Sequence, residues 1–276
     1  MTDIRVIALD LDGTLLNSRK ELTPRTYRAL QAAAEAGIEI VPTTGRFFDG
    51  MPKAVQDLPF LHYAITINGA RVTDLRTGEV VSQAEIPLET ALAVMERLDK
   101  LPVIYDCYQD NWGWMTRSLY DRSPEFVQNP HILRMVQELR TPVDDLKTTL
   151  RQRGRGVQKI QFFVKDMAVR QEVLDTFEGL FPGLAVTSSL ANNVEINDRR
   201  ANKGDALQAL AAYMGIGIGQ TMSFGDGLND LTMIRAAGIG VAMANSCPEV
   251  LAAADRVAPS CDEDGVAAVI EELLGE

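Results

Sequence analysis

The sequence predicts an α/β protein in which a parallel-sheet core is interrupted by an inserted α+β domain. Apolar runs typical of buried strands alternate with amphipathic helices near both ends of the chain, the order that produces a parallel sheet. The middle of the chain has a different texture, with strands that alternate apolar and polar residues. The length of 276 residues also exceeds one domain of ordinary size.

The first α/β segment contains a helix whose start and end are both indicated by the sequence. Thr23 is suited to the N-cap, Pro24 to the first helical position and Gly37 to the position after the last turn, which predicts a helix over 23–36. Buried strands are predicted over 4–9, 38–41 and 63–67, and a hairpin over 71–86.

The inserted domain is predicted from the change of texture after this hairpin. The predicted elements are helices over 88–98 and 168–181 and strands over 103–108, 112–116 and 157–164. Prolines interrupt 118–155, which gives no regular pattern. The α/β texture then returns, with helices over 203–214 and 266–274 and strands over 221–224 and 239–243. The predicted boundaries are 1–83 for the first part of the core, 84–197 for the insertion and 198–276 for the rest of the core.

Charge and composition exclude several classes of protein. The net charge of −11 argues against a general nucleic-acid binder, which needs a basic face. No apolar run is long enough for a membrane helix, and the N-terminus lacks a secretory pattern. Three scattered cysteines predict no disulfide framework. We therefore expect a cytoplasmic protein, monomeric or homodimeric, without nucleic-acid or membrane partners.

Polar side chains follow four of the predicted strands at the point where each strand ends. They are Asp10 and Asp12, Thr43 and Thr44, Asn68, and Asp226. Ligands of open parallel sheets bind beyond the carboxyl ends of the strands, so this convergence predicts a binding site there.

The acidic residues of this predicted site call for a cation. Asp10 and Asp12 point the same way if the chain is extended, and Asp226 and Asp230 lie in a glycine-rich loop. At about 4 Å and an effective dielectric near 20, each like-charge pair costs on the order of 4 kcal/mol. Oxygen ligands without His or Cys favour Mg²⁺ over Zn²⁺.

The same site can carry nucleophilic chemistry on phosphorus. An ionised aspartate acts as a nucleophile without a base, and its usual electrophile in that role is a phosphoryl group. Thr44 and Gly45 offer hydroxyl and N–H donors to such a group. Lys203 opens a helix, where a cation is unfavourable for the helix dipole, which indicates that it acts elsewhere.

Four motifs occur in order along the chain: DLDGTLLN at 10–17, TTGR at 43–46, KG at 203–204 and GDGLND at 225–230. They resemble motifs I to IV of the haloacid dehalogenase (HAD) superfamily, in its Cof-type branch (subfamily IIB). The resemblance implies a Rossmann-like HAD core with an inserted C2B cap, and a Mg²⁺-dependent phosphatase of small phosphorylated metabolites.

The resemblance also assigns roles to residues. Asp10 would attack phosphorus, and Asp12 would protonate the leaving oxygen and then activate water. The predicted catalytic residues are Asp10, Asp12 and Lys203. The predicted phosphate-binding residues are Leu11 through its N–H, Thr44, Gly45, Arg46, Lys203 and Asn229. The predicted metal-site residues are Asp10, Asp12 through its carbonyl, Asp226, Asn229 and Asp230.

Two other functions stay open at this stage. A phosphomutase of the same superfamily would move a phosphoryl group within a sugar and would retain it. A phospho-acceptor signalling module would keep a phosphorylated aspartate for a long time, although such a module is much smaller and has no inserted domain. The sequence leaves the physiological substrate open, because the insertion that would select it contains the unassigned stretch 118–155.

Overall fold

The computed structural model describes residues 3–188 and 190–275, which divide into two compact units. The core unit runs up to Gln83 and resumes at Ala201, and the inserted unit spans Ala84–Arg200. In the described ranges, no helix is long and apolar enough to cross a membrane.

The first part of the core unit follows the predicted strand–helix–strand order. Its elements are β1 (Val6–Leu9), α1 (Pro24–Glu35), β2 (Glu39–Pro42), α2 (Lys53–Gln56), β3 (Tyr63–Thr66), β4 (Arg71–Asp74) and β5 (Val80–Gln83). Helix α1 begins as its sequence predicts, because the Thr23 hydroxyl accepts a hydrogen bond from the backbone N–H of Thr26. Gly37 takes the left-handed conformation after the helix, with φ +84°.

The inserted unit combines one sheet with helices. Its elements are α3 (Leu88–Leu98), β6 (Val103–Gln109), β7 (Trp112–Thr116), α4 (Arg117–Tyr120), α5 (Ser123–Phe126), α6 (Pro130–Glu138), β8 (Arg140–Val143), α7 (Leu146–Arg153), β9 (Lys159–Val164), α8 (Met167–Leu180), β10 (Leu184–Thr187) and β11 (Asn193–Asp198). Its sheet has the order β10-β11-β9-β6-β7-β8. It has a hydrophobic core of its own, in which Phe162, Val194 and Leu98 are fully buried.

The stretch that gave no sequence pattern contains short helices and an edge strand. Pro124 lies in the first turn of α5 and Pro130 is the first residue of α6, positions that proline tolerates because it lacks an N–H to donate. Pro142 lies in β8, at the edge of the sheet, where a missing donor is also tolerated. Pro124 and Pro130 therefore lie in the first turns of helices, and Pro142 lies within an edge strand.

The second part of the core unit completes its sheet. Its elements are α9 (Lys203–Tyr213), β12 (Thr221–Gly225), α10 (Leu231–Ala236), β13 (Ile239–Met243), α11 (Pro248–Ala253), β14 (Arg256–Ala258) and α12 (Gly265–Leu274). The five strands β14-β13-β12-β1-β2 are all parallel, with β1 next to both β12 and β2.

Helices cover both faces of this parallel sheet. On one face Ile7 and Leu9 pack in a cluster with residues of α1 and α12. On the other face Val6 and Ala8 pack with residues of α9 and α10. All four side chains of β1 are fully buried, as expected for a strand covered on both faces. The predicted α/β class, with a parallel core and an inserted α+β unit, is thereby observed.

Strand β3 departs from the prediction of a third strand in the parallel sheet. It pairs antiparallel with β4 in a separate three-stranded sheet, β3-β4-β5. A single parallel bridge, Thr43 to Ile65, joins it to the end of β2. The pairing stops there because the chain turns sharply at Ile67–Gly69 and returns as β4.

Candidate active site

The carboxyl ends of β1, β2 and β12 meet at one edge of the parallel sheet. The backbone N–H of Asp10 donates to the Phe224 carbonyl at 3.0 Å, and the N–H of Thr43 donates to the Leu9 carbonyl at 2.7 Å. The loops after these three strands therefore start side by side. The strand order places this edge at a switch point, where β1 has neighbours on both sides and crevices form in such sheets.

Lys203 lies between two carboxylates and is completely buried. Its Nζ is 2.5 Å from Asp10 Oδ1 and 2.5 Å from Asp230 Oδ1. Asn202 caps α9 by accepting the N–H of Asp205, which fixes the helix start at Lys203. Burial lowers the pKa of Lys203, but Asp10 and Asp230 outweigh it, so the pKa is raised and the ammonium is charged.

Asp10, Asp226 and Asp230 form a carboxylate group that could hold a metal ion. One oxygen from each lies within 4.8 Å of the others. Burial and the neighbouring carboxylates raise the pKa of Asp10 to about 7, although Lys203 lowers it. Burial also raises the pKa of Asp226 to about 6. Both carboxylates are thus destabilised as anions, the situation that a divalent cation would reverse.

Hydrogen bonds divide the three carboxylates into two kinds. Asp230 Oδ2 accepts the N–H groups of Asp226 and Gly227, both at 2.9 Å, and its Oδ1 contacts Lys203. Both oxygens of Asp230 are therefore occupied, which makes it an anchor for Lys203 and for the loop. The Asp226 Oδ1 atom accepts the Thr14 hydroxyl at 2.7 Å. Asp10 and Asp226 keep their Oδ2 atoms for a cation, so the residues present fit a divalent metal.

The carboxylate of Asp12 is not part of that group of three and is paired with two cations, Arg46 and Lys20. Arg46 donates through Nε to Oδ2 and through a terminal nitrogen to Oδ1, each at 3.0 Å, and Lys20 Nζ lies 3.0 Å from Oδ1. Burial raises the pKa of Asp12, but Arg46 and Lys20 outweigh it and lower the pKa below its usual value. Asp12 is therefore ionised in this arrangement.

The loop after β2 brings the predicted phosphate-binding residues together. Thr44 is buried, its N–H donates to the Ile65 carbonyl at 2.9 Å, and its hydroxyl accepts the N–H of Arg46 at 3.2 Å. A Cβ on Gly45 would lie 2.7 Å from Asn68 Oδ1, so any larger residue there would displace the Asn68 amide. Asn229 reaches this loop from the β12 side, because its Nδ2 donates to Asn68 Oδ1 at 3.3 Å. Leu11 is fully buried, so it can serve the site only through its backbone.

The sequence places Asn68 at the predicted binding edge without a specific role, and it gives Lys20 no role. Lys20 contacts Asp12 and has a left-handed conformation, with φ +64°. It lies in a loop that Asn17 organises by accepting the N–H groups of Arg19 and Glu21. Asn68, which follows a strand end and precedes a glycine, joins Gly45 and Asn229. The strand-end position and the Asn-Gly pair are the sequence signals for Asn68, and the notable sequence patterns do not include Lys20.

Comparison with known proteins gives the same class as the geometry. Residues 7–270 match the family of haloacid dehalogenase-like hydrolases. The chain is 33% identical to YxeH of Bacillus subtilis (strain 168) over 279 residues, which covers 98% of both chains. It is 28% identical over 272 residues to the 5-amino-6-(5-phospho-D-ribitylamino)uracil phosphatase YcsE of the same organism, covering 99% of this chain and 96% of that protein.

A comparison with solved structures gives the same family. The crystal structure of a haloacid dehalogenase-like hydrolase from Bacteroides thetaiotaomicron superposes with a TM-score of 0.84 at 27% identity, covering 98% of this chain and 99% of that one. The chain belongs to the haloacid dehalogenase-like hydrolase family. It is a phosphoric monoester hydrolase of that superfamily, which confirms the resemblance found in its motifs.

Proposed function

We propose that this protein is a Mg²⁺-dependent phosphatase that hydrolyses phosphate monoesters of small metabolites through an aspartyl-phosphate on Asp10. The observation that carries the proposal is the buried Lys203 between Asp10 and Asp230, beside the carboxylate of Asp226. The arrangement orients one carboxylate at the strand edge and surrounds it with groups that suit a phosphoryl ligand.

Asp10 and Asp226 would hold Mg²⁺ through their carboxylates, with the main-chain carbonyl of Asp12 as a further ligand and Asn229 and Asp230 beside the site. When bound, the cation supplies positive charge that keeps the carboxylates ionised and offsets the charge of the phosphoryl group. The oxygen-only donor set is the kind that Mg²⁺ prefers.

The reaction divides into two displacements at phosphorus. An Asp10 oxygen forms a bond to phosphorus while the ester P–O bond breaks, and the leaving oxygen takes a proton from Asp12. Asp12, now ionised, accepts a proton from water while the water oxygen attacks phosphorus and the bond to Asp10 breaks. Inorganic phosphate leaves, and Asp10 and Asp12 return to their starting states.

Arg46 and Lys20 bear on the two tasks of Asp12 in opposite ways. Their contacts favour the ionised carboxylate, which is the form that accepts a proton from water. The first displacement needs a protonated Asp12, so the two cations must give up part of their hold on it. A phosphate monoester dianion beside Arg46 would attract the same cations and weaken that hold.

The phosphoryl group itself would be held by Thr44, Gly45, Lys203, Asn229 and the Leu11 N–H, with Arg46 at the edge. We propose a small phosphorylated metabolite as the substrate, as the name of the relative YcsE indicates for that protein. We propose the cytoplasm as the compartment, which suits the free thiols of Cys107, Cys247 and Cys261.

The test is phosphate release from p-nitrophenyl phosphate and a panel of phosphorylated metabolites, with and without Mg²⁺. We expect Mg²⁺-dependent turnover that Asp10→Asn lowers at least about a thousandfold, as loss of a nucleophile does. The control Asp57→Asn changes an exposed carboxylate of the same unit and is expected to keep wild-type turnover.

Two results would overturn the proposal. One is wild-type turnover no higher than that of Asp10→Asn on the whole panel. The other is isomerised sugar phosphate without free phosphate, which would identify a phosphomutase. Measuring both products in the same reaction separates these outcomes.

A further inference from the structure

Three successive residues at the end of β3 have positive φ angles. They are Ile67 at +55°, Asn68 at +57° and Gly69 at +94°. Glycine accepts this region freely and asparagine tolerates it, but a β-branched residue is a true outlier there. Such a conformation persists only where the surrounding structure fixes it, and it concentrates at functional sites.

Backbone hydrogen bonds fix this left-handed turn to the loop after β2. The N–H of Ile67 donates to the Arg46 carbonyl at 2.9 Å, and the N–H of Asn68 donates to the Thr44 carbonyl at 3.0 Å. The turn therefore holds both ends of the segment Thr44–Gly45–Arg46. A Cβ on Gly69 would lie 2.3 Å from the Asn202 carbonyl, so the turn also lies against the residue that precedes Lys203.

The side chain of Asn68 connects two further groups. Its Oδ1 accepts a hydrogen bond from Asn229 Nδ2 at 3.3 Å. The same oxygen lies 2.7 Å from the position that a Cβ on Gly45 would take. Asn68 is only 7% exposed, whereas Asn229 is exposed. An exposed amide has several rotamers, and a hydrogen bond to a buried acceptor favours the one that makes it.

We propose that Asn68 is a positioning residue, whose amide oxygen sets Asn229 and the Gly45 backbone at the spacing that a phosphoryl group needs. This inference rests on the proposed function, in which Asn229 and Gly45 hold that group. The simpler interpretation is that Asn68 is present only because asparagine tolerates the left-handed turn.

Asn68→Gly separates the two interpretations. Glycine adopts the same φ without strain, so the turn is kept and only the amide is lost. If Asn68 positions Asn229, we expect kcat/KM to fall about tenfold and the inhibition constant of inorganic phosphate to rise about tenfold, the effect of losing one hydrogen bond. Asn111→Gly is the matched control, since Asn111 also has a positive φ, +59°, but lies in the inserted unit, and it is expected to leave both constants unchanged.

A double-mutant cycle with Asn229→Ala tests whether Asn68 acts through Asn229. If it does, adding Asn68→Gly to Asn229→Ala lowers kcat/KM much less than Asn68→Gly does alone. Effects that multiply fully, or wild-type constants in a folded Asn68→Gly protein, would overturn the inference.

The proposed function can fail separately from this inference. Wild-type turnover tests the function, and the rise in Tm that inorganic phosphate gives to the wild type and to Asn68→Gly tests the positioning without turnover. If the wild type binds phosphate but Asn68→Gly gives the same rise in Tm, the inference alone is wrong.

Discussion

At the scale of single residues, the site is a balance of charges around one buried ammonium. Lys203 pairs with Asp10 and Asp230, and Asp226 completes the group of three carboxylates that could hold a metal ion. The three carboxylates and the Lys203 ammonium together carry a formal charge of −2, which one divalent cation would balance. Removal of Lys203 would leave Asp10 and Asp230 buried without a counter-charge, which is far more costly than losing an exposed ion pair.

The raised pKa values predict how pH changes the effect of Mg²⁺ on stability. In the metal-free protein the pKa is about 7 for Asp10 and about 6 for Asp226, both above their unfolded values. The free energy of unfolding that these two groups contribute is therefore lost as pH rises through this range. Mg²⁺ binds the ionised forms, so we expect it to raise Tm little at about pH 5 and clearly more at about pH 8.

Thermal unfolding with Mg²⁺ and with EDTA at both pH values measures this effect. Asp226→Asn is expected to remove most of the Mg²⁺-dependent rise in Tm at the higher pH, while Asp57→Asn, which changes an exposed carboxylate, is expected to keep it. A rise in Tm of the same size at both pH values would contradict the assignment of Asp10 and Asp226 as the ligands.

At the scale of elements, the sequence best predicts the helices whose start and end signals lie within the helical segment itself. Helix α1 has its cap, its proline and its terminal glycine within the segment, and the structure confirms its start at Pro24. Helices α4 and α5 have four residues each, and their formation depends on packing against the sheet of the inserted unit, which no local pattern contains.

The cap of α1 gives a prediction at this scale. The Thr23 hydroxyl accepts the N–H of Thr26 and donates to Asp264, which ties α1 to the start of α12. Thr23→Ala removes both contacts, so we expect the free energy of unfolding to fall by about 1–2 kcal/mol. Denaturant unfolding measures it. Turnover of the folded protein should not change, and Thr23→Ser, which keeps the hydroxyl, should restore most of the loss. Unchanged stability in Thr23→Ala would show that the cap is not needed.

The candidate site shows the same division between what sequence can and cannot predict. Asp10, Lys203 and Asp226 could be singled out because strand ends of a parallel sheet share one edge and a lysine is unusual at a helix start. The contact of Lys20 with Asp12 could not, because it depends on a left-handed residue inside a loop. The link between Asn68 and Asn229 joins residues far apart in sequence, which only the folded chain brings together.

At the scale of the whole molecule, the chain builds one site from both parts of a divided core unit. Asp10 and Asp226 are more than 200 residues apart, and the insertion of Ala84–Arg200 lies between them in sequence. They are neighbours because β1 and β12 pair in parallel register, with Leu9 opposite Phe224. Lys20, Arg46 and Lys203 offset most of the charge of the carboxylates at this edge, and a bound divalent cation would make the site positive. The net charge of −11 on the whole chain is therefore no obstacle to an anionic substrate.

The most direct test of the account is to locate the phosphoryl group on the protein during turnover. Asp12→Asn should slow hydrolysis of the phospho-enzyme, because the group that accepts a proton from water is lost. With p-nitrophenyl phosphate as substrate the first displacement should continue, because p-nitrophenolate leaves without needing the proton of Asp12. Rapid acid quenching of that variant with Mg²⁺ and p-nitrophenyl phosphate, followed by peptide mass spectrometry, should find the added phosphoryl mass on Asp10. A phosphoryl group on another residue, or substrate turnover by the Asp10→Asn protein at the wild-type rate, would contradict the account.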